Sequence, residues 1–323
     1  MRVTIFGAGA IGGLLAARFA AAGADVRLVA RGAQLAALRS RGLTLVTSAG
    51  RFRHDLPATD DTAALGPQDC VILATKAHSI PLAVPAIQPL LGPDTVVVPA
   101  INGIPWWYNH AADGTPGRPL ESVDPGGAAW HGIGPARVVG CVVHAAASVP
   151  EPGVVQHAFG DRFFLGEPDG TDTPRLAALV ALFRAAGLDA VATPRIREEV
   201  WLKVWGNLSF NPLSVLTGAT MAAMHDDPAM HGVLVRMMEE GARVAEAHGI
   251  HLPMSLADRL ALARKLGHFK TSTLQDFEAG RKLELDAILG VVLELARLRS
   301  VPTPLLDAID AIVRQRAAVA GCL

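Results

Sequence analysis

Lys203, Asn207 and Asn211 recur at i, i+4 and i+8 within Trp-Leu-Lys-Val-Trp-Gly-Asn-Leu-Ser-Phe-Asn-Pro, residues 201 to 212. On a helix that spacing makes one face. The surrounding pattern is apolar enough for a core, where ammonium and amide groups are costly unless partnered. A ligand with a carbonyl and further polar groups would supply the partners. An ammonium beside a ketone oxygen can stabilise the charge that a hydride leaves there, and then protonate it. Lysine suits the task because burial lowers its pKa towards neutrality. The competing reading has Lys203 snorkelling to solvent and the asparagines capping or bridging helices.

Such a stripe reduces a ketone only if the chain also binds a hydride donor. Arg2 to Phe6 reads as a β-branched strand, and Gly7-Ala8-Gly9-Ala10-Ile11-Gly12 follows it directly. Leu14 to Ala22 then reads as a helix and Asp25 to Ala30 as a second strand. Strand, glycine turn, helix, strand is the setting in which GxGxxG binds a dinucleotide. Gly7 permits the tight turn, Gly9 lets backbone approach a pyrophosphate, and Gly12 lets helix and strand pack closely. The diphosphate would rest on the helix N-terminus, where free N–H groups and the dipole favour anions. The second strand runs into Arg31, where an NAD site usually carries a carboxylate for the ribose 2′-OH. A guanidinium there suits a 2′-phosphate, so NADP(H) is the expected cofactor.

Three more apolar runs read as strands. Cys70 to Ala74 ends in Thr75-Lys76, Thr95 to Val98 leads to Asn102, and Val138 to Val143 ends at His144-Ala145-Ala146. Ligands in such folds bind beyond strand C-termini, which makes Lys76, Asn102 and Ala146 expected cofactor contacts. Residues 104 to 135, with Trp106, Trp107 and His110, read as an irregular insertion whose aromatic residues pack a loop. His144 and His157 have no partners at metal-ligand spacing, and no metal site is expected.

After Pro194 the strand signals stop. Glu198 to Leu216, His225 to His248, Ser255 to Lys265, Thr273 to Ala279, Leu283 to Leu298 and Thr303 to Ala318 have helical periodicity. The expected fold is α/β: a Rossmann-type, doubly wound N-terminal domain over 1–194 and an all-helical substrate domain over 195–323. The ligand is expected in a cleft between them.

Composition bounds the rest. Half of the 323 residues are hydrophobic and 18% are charged, so a sizeable core is expected and disorder is not. A formal charge of −1 without a basic block argues against nucleic acid or an acidic membrane as partner. Cys70, Cys141 and Cys322 form no CxxC pair, which fits a reducing cytoplasm. The apolar start after Met1 and Arg2 is punctuated by Gly7, Gly9, Gly12, Gly13 and Arg18, against a signal peptide.

Taken in order, residues 7–12, Arg31, Lys76, Asn102, Lys203…Asn207…Asn211-Pro212 and Ser272-Thr-Leu-Gln-Asp276…Glu284 resemble the ketopantoate reductase (2-dehydropantoate 2-reductase) family across almost the whole chain. The resemblance implies that Lys203 is the general acid and that Asn207 and Asn211 hold substrate. It also implies that Ser272 meets the substrate carboxylate, and that Glu284 contacts cofactor and orients the site. The implied reaction is reduction of the 2-oxo group of 2-dehydropantoate to pantoate by NADPH, on the route to pantothenate and coenzyme A; a homodimer is among the allowed oligomeric forms. Two features depart from the family pattern: Met221 stands where many relatives carry a further asparagine, and the insertion from Pro105 to Gly134 is long. The alternatives are a reductase of another branched 2-oxo acid, an opine-type dehydrogenase and an NADP-sensing protein without catalysis. A sensor has no use for a proton donor at Lys203.

Overall fold

The computed structural model describes residues 1–112, 117–265 and 267–323. Among them the chain forms two compact units. One comprises Met1–Ile101, Pro105–Pro119 and Asp124–Ile196; the other comprises Asn102–Ile104, Leu120–Val123 and Arg197–Leu323.

The first unit contains β1 (Arg2–Phe6), α1 (Ala10–Ala21), β2 (Asp25–Val29), α2 (Gly32–Arg41), β3 (Leu43–Thr47), β4 (Gly50–His54) and β5 (Ala58–Thr59). There follow β6 (Gln68–Leu73), α3 (Ile80–Ile87), β7 (Leu91–Pro99), α4 (Ala128–Gly132), β8 (Gly140–Glu151), β9 (Val154–Gly166), α5 (Pro174–Ala185) and β10 (Asp189–Ala192). Among the described residues, β5-β2-β1-β6-β7 form a parallel sheet in that order, with β1 at its centre. Its central strands β1 and β6 are buried at all but one residue each, as strands covered on both faces must be.

The sequence reading did not anticipate a second sheet. It runs β10-β9-β3-β4, with β8 antiparallel to β9. Helix α1 is clamped between the sheets, and two consecutive glycines record it. A Cβ on Gly12 would lie 3.0 Å from Ala74 Cβ and from Ile5 Cγ2 of the first sheet. A Cβ on Gly13 would lie 2.5 Å from Val155 Cγ2 of the second. Successive helical residues point about 100° apart, so two bare positions let one helix approach both sheets. Phe19, Phe163 and Phe183 close this core with edge-on rings at 5.0 and 5.3 Å.

The expected irregular insertion is largely turns and short helical pieces. Trp106 and Trp107 are fully buried, so packing rather than ligand contact accounts for them. A Cβ on Gly140 would come within 2.7 Å of the Trp107 ring. Residues 113 to 116 of this insertion lie outside the described residues.

The second unit holds α6 (Ile196–Thr217), α7 (Met221–Asp226), α8 (Pro228–Ala247), α9 (Leu256–Arg264), α10 (Ser272–Glu278), α11 (Val291–Leu298) and α12 (Pro304–Val319). Trp205 Nε1 donates to Met238 O at 2.6 Å, fixing α6 on α8. The buried Glu240 carboxylate accepts from the N–H groups of Leu305 and Leu306, capping α12. Two expected helices are divided. His225–His248 breaks at Asp227, whose carboxylate caps α8 by accepting from Met230 N–H. Leu283–Leu298 contains a π turn at Asp286–Gly290 before α11 begins.

Candidate active site

Four strands of the parallel sheet end level with one another. Phe6 pairs with Val29 and Leu73, and Leu73 pairs with Pro99. Backbone N–H groups of Gly7, Ala74 and Ala100 continue the ladder one residue further, to Val29, Phe6 and Leu73 carbonyls at 3.0, 2.9 and 2.9 Å. The loops carrying Gly7, Arg31 and Lys76 therefore all leave at the carboxyl edge.

The glycine turn has the shape of a diphosphate cradle. Gly7 has φ +102°, and a Cβ there would sit 2.6 Å from Thr75 Cγ2. Gly12 could not carry a Cβ either, since it would lie 2.0 Å from Gly7 O. Gly9 differs: its Cβ would meet nothing within 4 Å. It N-caps α1 without a side-chain cap, which leaves the first helical N–H groups open above Ala10 and Ile11. Beside Gly7, the buried Thr75 Oγ1 has no hydrogen-bond partner. Open floor, undonated N–H groups and an orphaned hydroxyl at one strand edge fit an anionic cofactor.

Gln34 fixes this turn from behind. Its Nε2 donates to Ala8 O at 2.7 Å, while its Oε1 accepts from Gly153 N–H at 3.1 Å. Nothing in its sequence context marks it, because the partners are 26 and 119 residues away. Arg31 N-caps α2 and is exposed, and Lys76 is half-buried just after β6. Ala146 differs from the expectation of a strand terminus. It lies inside β8, opposite Phe159, with the register shifting on either side of it. The run from Val138 does not stop at Val143 because β9 continues to pair with it beyond the apolar part.

In the helical unit the polar stripe is real. Lys203 Nζ donates to Asn102 Oδ1 at 2.6 Å. Asn102 reaches this position on the Asn102–Ile104 segment, which groups with the helices although it follows β7 in the chain. The segment is clasped at the π turn. Ile104 N–H donates to Ala287 O at 2.8 Å, and Gly103, at φ +85°, passes so close that a Cβ would lie 2.1 Å from that oxygen. A π turn shifts the helical bonding from i→i+4 to i→i+5, which changes the donors that local carbonyls meet. Glu284, buried, lies two residues before this turn.

Asn207 is half-buried and Asn211 buried, yet among the described residues neither amide makes a protein hydrogen bond. They do not cap or bridge helices. Ser272 is exposed at the first residue of α10. Its neighbour Thr271 bonds Ser214 Oγ at 2.6 Å, and Ser214 donates to Asn211 O at 2.7 Å. Ser272 is thus placed at the Asn211 end of the stripe. Met221 is buried at the start of α7, its N–H donating to Phe269 O. His157 Nε2 lies 2.6 Å from Gly160 O and His144 packs edge-on to Phe164, so both have ordinary structural surroundings.

Comparison with known proteins covers both units. The family described as "Ketopantoate reductase PanE/ApbA" matches residues 3–170, and "Ketopantoate reductase PanE/ApbA C terminal" matches residues 195–317. The chain is 47% identical to a 2-dehydropantoate 2-reductase of Mesorhizobium japonicum, covering 100% of this chain and 99% of the relative. A crystal structure of a putative ketopantoate reductase from Ralstonia solanacearum is 42% identical, with a TM-score of 0.96, covering 100% and 99% of the two chains. D-mandelate dehydrogenase, in a ternary structure with NADH and anilino(oxo)acetate, shares the fold at 22% identity, with a TM-score of 0.83 over 99% of each chain.

Proposed function

The chain belongs to the ketopantoate reductase family, and from that premise we propose that it reduces the 2-oxo group of 2-dehydropantoate to the 2-hydroxy acid with NADPH. It is a pyridine-nucleotide-dependent oxidoreductase acting on a CH–OH group. The observation that carries the finer reading is Lys203 held on Asn102, with two amides free of protein partners one and two turns further along α6.

Lys203 is the general acid, donating a proton to the ketone oxygen as charge develops there. Asn102 accepts one of its N–H bonds and so helps to orient the ammonium. Asn207 and Asn211 receive the terminal hydroxyl of the substrate. Ser272 contacts the carboxylate, and the buried Glu284 orients cofactor and substrate groups. Residues 1–194 form the cofactor domain and residues 195–323 the catalytic one. Bound NADPH supplies the hydride. Gly7 to Gly12, Lys76, Asn102 and Ala146 contact it, and Arg31 takes the 2′-phosphate. Three buried cysteine thiols, none in a disulfide among the described residues, support a cytoplasmic setting.

Initial rates of NADPH oxidation with 2-dehydropantoate, 2-oxoisovalerate and other branched 2-oxo acids test the substrate. The hydroxyl-bearing acid is expected to exceed 2-oxoisovalerate in kcat/KM by at least about tenfold, the low end for one lost hydrogen bond to a buried partner. Equal values would leave a reductase of a different 2-oxo acid. Arg31→Ala is expected to raise the NADPH KM by about 10- to 150-fold, the equivalent of one charge-assisted contact, and to leave NADH unchanged. A wild-type preference for NADH would remove the NADP assignment.

A further inference from the structure

The π turn that clasps Asn102–Ile104 is itself held from α12. Arg314 lies there between two carboxylates: its Nη2 is 2.7 Å from Asp286 Oδ1, and its Nε donates to Asp310 Oδ2 at 2.8 Å. Asp286 opens the π turn, and Asp310 stands one helical turn before Arg314 on α12. The guanidinium therefore ties the two elements together. Gly290 closes the turn and leaves room for the guanidinium. A Cβ there would sit 2.8 Å from Arg314 Nη2 and 3.4 Å from Asp286 Oδ1. The backbone of Asp286 is engaged too, since Val291 N–H donates to its carbonyl across five residues.

Such a network adds little to global stability, because Asp286 keeps 48% and Arg314 28% of its side-chain surface exposed. Its effect is local. A π turn is a rare, single-turn departure from α geometry, found frequently at functional sites. Reverting to α bonding would change the partners of the carbonyls within it. One of them, Ala287 O, receives Ile104 N–H at 2.8 Å, and Gly103 packs against the same oxygen. Two residues before Ile104, Asn102 accepts from Lys203 Nζ at 2.6 Å. The path Arg314, Asp286, Ala287, Ile104, Asn102, Lys203 thus runs through printed bonds and chain neighbours alone, all within the helical unit.

We propose that Arg314 is a positioning residue for the proton donor. By pinning the π turn it fixes the Asn102–Ile104 segment, and through Asn102 it helps to orient the Lys203 ammonium. The proposal rests on the reductase reading above, and it deepens that reading by giving the last helix a part in the placement of the site. Gly290 belongs to the device, because a side chain there would press on the guanidinium.

The test compares wild type, Arg314→Gln, Arg314→Lys and Asp286→Asn. In Arg314→Gln, hydrogen exchange at the Ile104 amide is expected to quicken at least about tenfold, while amides within α8 keep their wild-type rates. Its kcat with 2-dehydropantoate is expected to fall about three- to tenfold, up to the loss of the Asn102 bond itself. In an Asn102→Ala background the same substitution should lower kcat by less than about twofold. Arg314→Lys keeps the charge without the two-sided grip and should restore part of both properties. Unchanged exchange at Ile104, or an increase that α8 shares, would overturn the proposal and leave Arg314 a surface ion pair. Equal losses of kcat with and without Asn102 would overturn it too, because the effect would then bypass Asn102. Selective exchange at Ile104 in a protein that does not reduce 2-dehydropantoate keeps the positioning role and removes the proposed substrate. Circular dichroism checks each fold; should Arg314→Gln not fold, Asp286→Asn, which keeps the shape of the side chain, carries the same comparisons.

Discussion

At the residue scale Lys203 is hydrogen-bonded to Asn102, and removing either should reveal whether the two act as a pair. Lys203→Ala is expected to lower kcat by about 100-fold or more, as for loss of a general acid. Asn102→Ala leaves the ammonium but not its orientation, and is expected to lower kcat by roughly tenfold, the low end for a hydrogen bond to a charged group. Adding Asn102→Ala to Lys203→Ala should lower kcat no further, because groups acting as a unit are not additive. Steady-state kinetics on the four proteins checks it, and strictly multiplicative effects would mean that Asn102 serves some other group. Lys203, Asn207 and Asn211 were legible because one helix carries them at fixed spacing. Gln34 was not, since the backbone groups it holds lie 26 and 119 positions away.

At the scale of elements, the glycines of the first turn separate binding from folding. A methyl group on Gly9 meets open space in the free protein, so Gly9→Ala should leave stability within about 0.5 kcal/mol of wild type. It should nevertheless raise the NADPH KM by about tenfold, since the methyl group stands where a phosphate would approach. Gly12→Ala drives a methyl group into Gly7 O and should cost about 1–3 kcal/mol of stability as well. Denaturant melts beside cofactor titrations decide between them; a Gly9 variant that unfolds early contradicts the assignment. Four strands of the parallel sheet were legible because each is short and mostly apolar beside strong turn signals, whereas the two-residue β5 carries no such pattern. The second sheet was not. β4 is exposed along most of its length, and β3 finds β9 some 110 residues later, a pairing no local pattern encodes. Ala146 was misplaced for the same reason, as the more exposed half of β8 is held by β9 rather than by its own propensity. The π turn within Leu283–Leu298 interrupts an apolar periodicity that is otherwise continuous.

For the whole molecule, the three cysteines report on the two units separately. Cys70 and Cys141 lie in the first and Cys322 in the second, all nearly fully buried thiols outside any disulfide among the described residues. Burial pushes the Cys70 thiol up to about 12, so thiolate is scarce at neutral pH even when reagent arrives. Native protein should therefore resist thiol labelling, while denatured protein takes up label at all three. Because the cofactor cradle belongs to the first unit, NADPH should slow labelling of Cys70 and Cys141 more than that of Cys322. Peptide mass spectrometry over a labelling time course measures this, and equal protection at all three would refute it. The return of Asn102–Ile104 to the helical unit bears on recombination. A chimera joined near residue 195, between two relatives, inherits Lys203, the proposed proton donor, from one parent and its hydrogen-bond acceptor Asn102 from the other. It inherits Gly103 and the Ala287 carbonyl it abuts from different parents too. Crossovers at that seam should give folded but catalytically mismatched offspring unless Asn102–Ile104 travels with the helices, so the unit of inheritance for this active site is not either half of the gene.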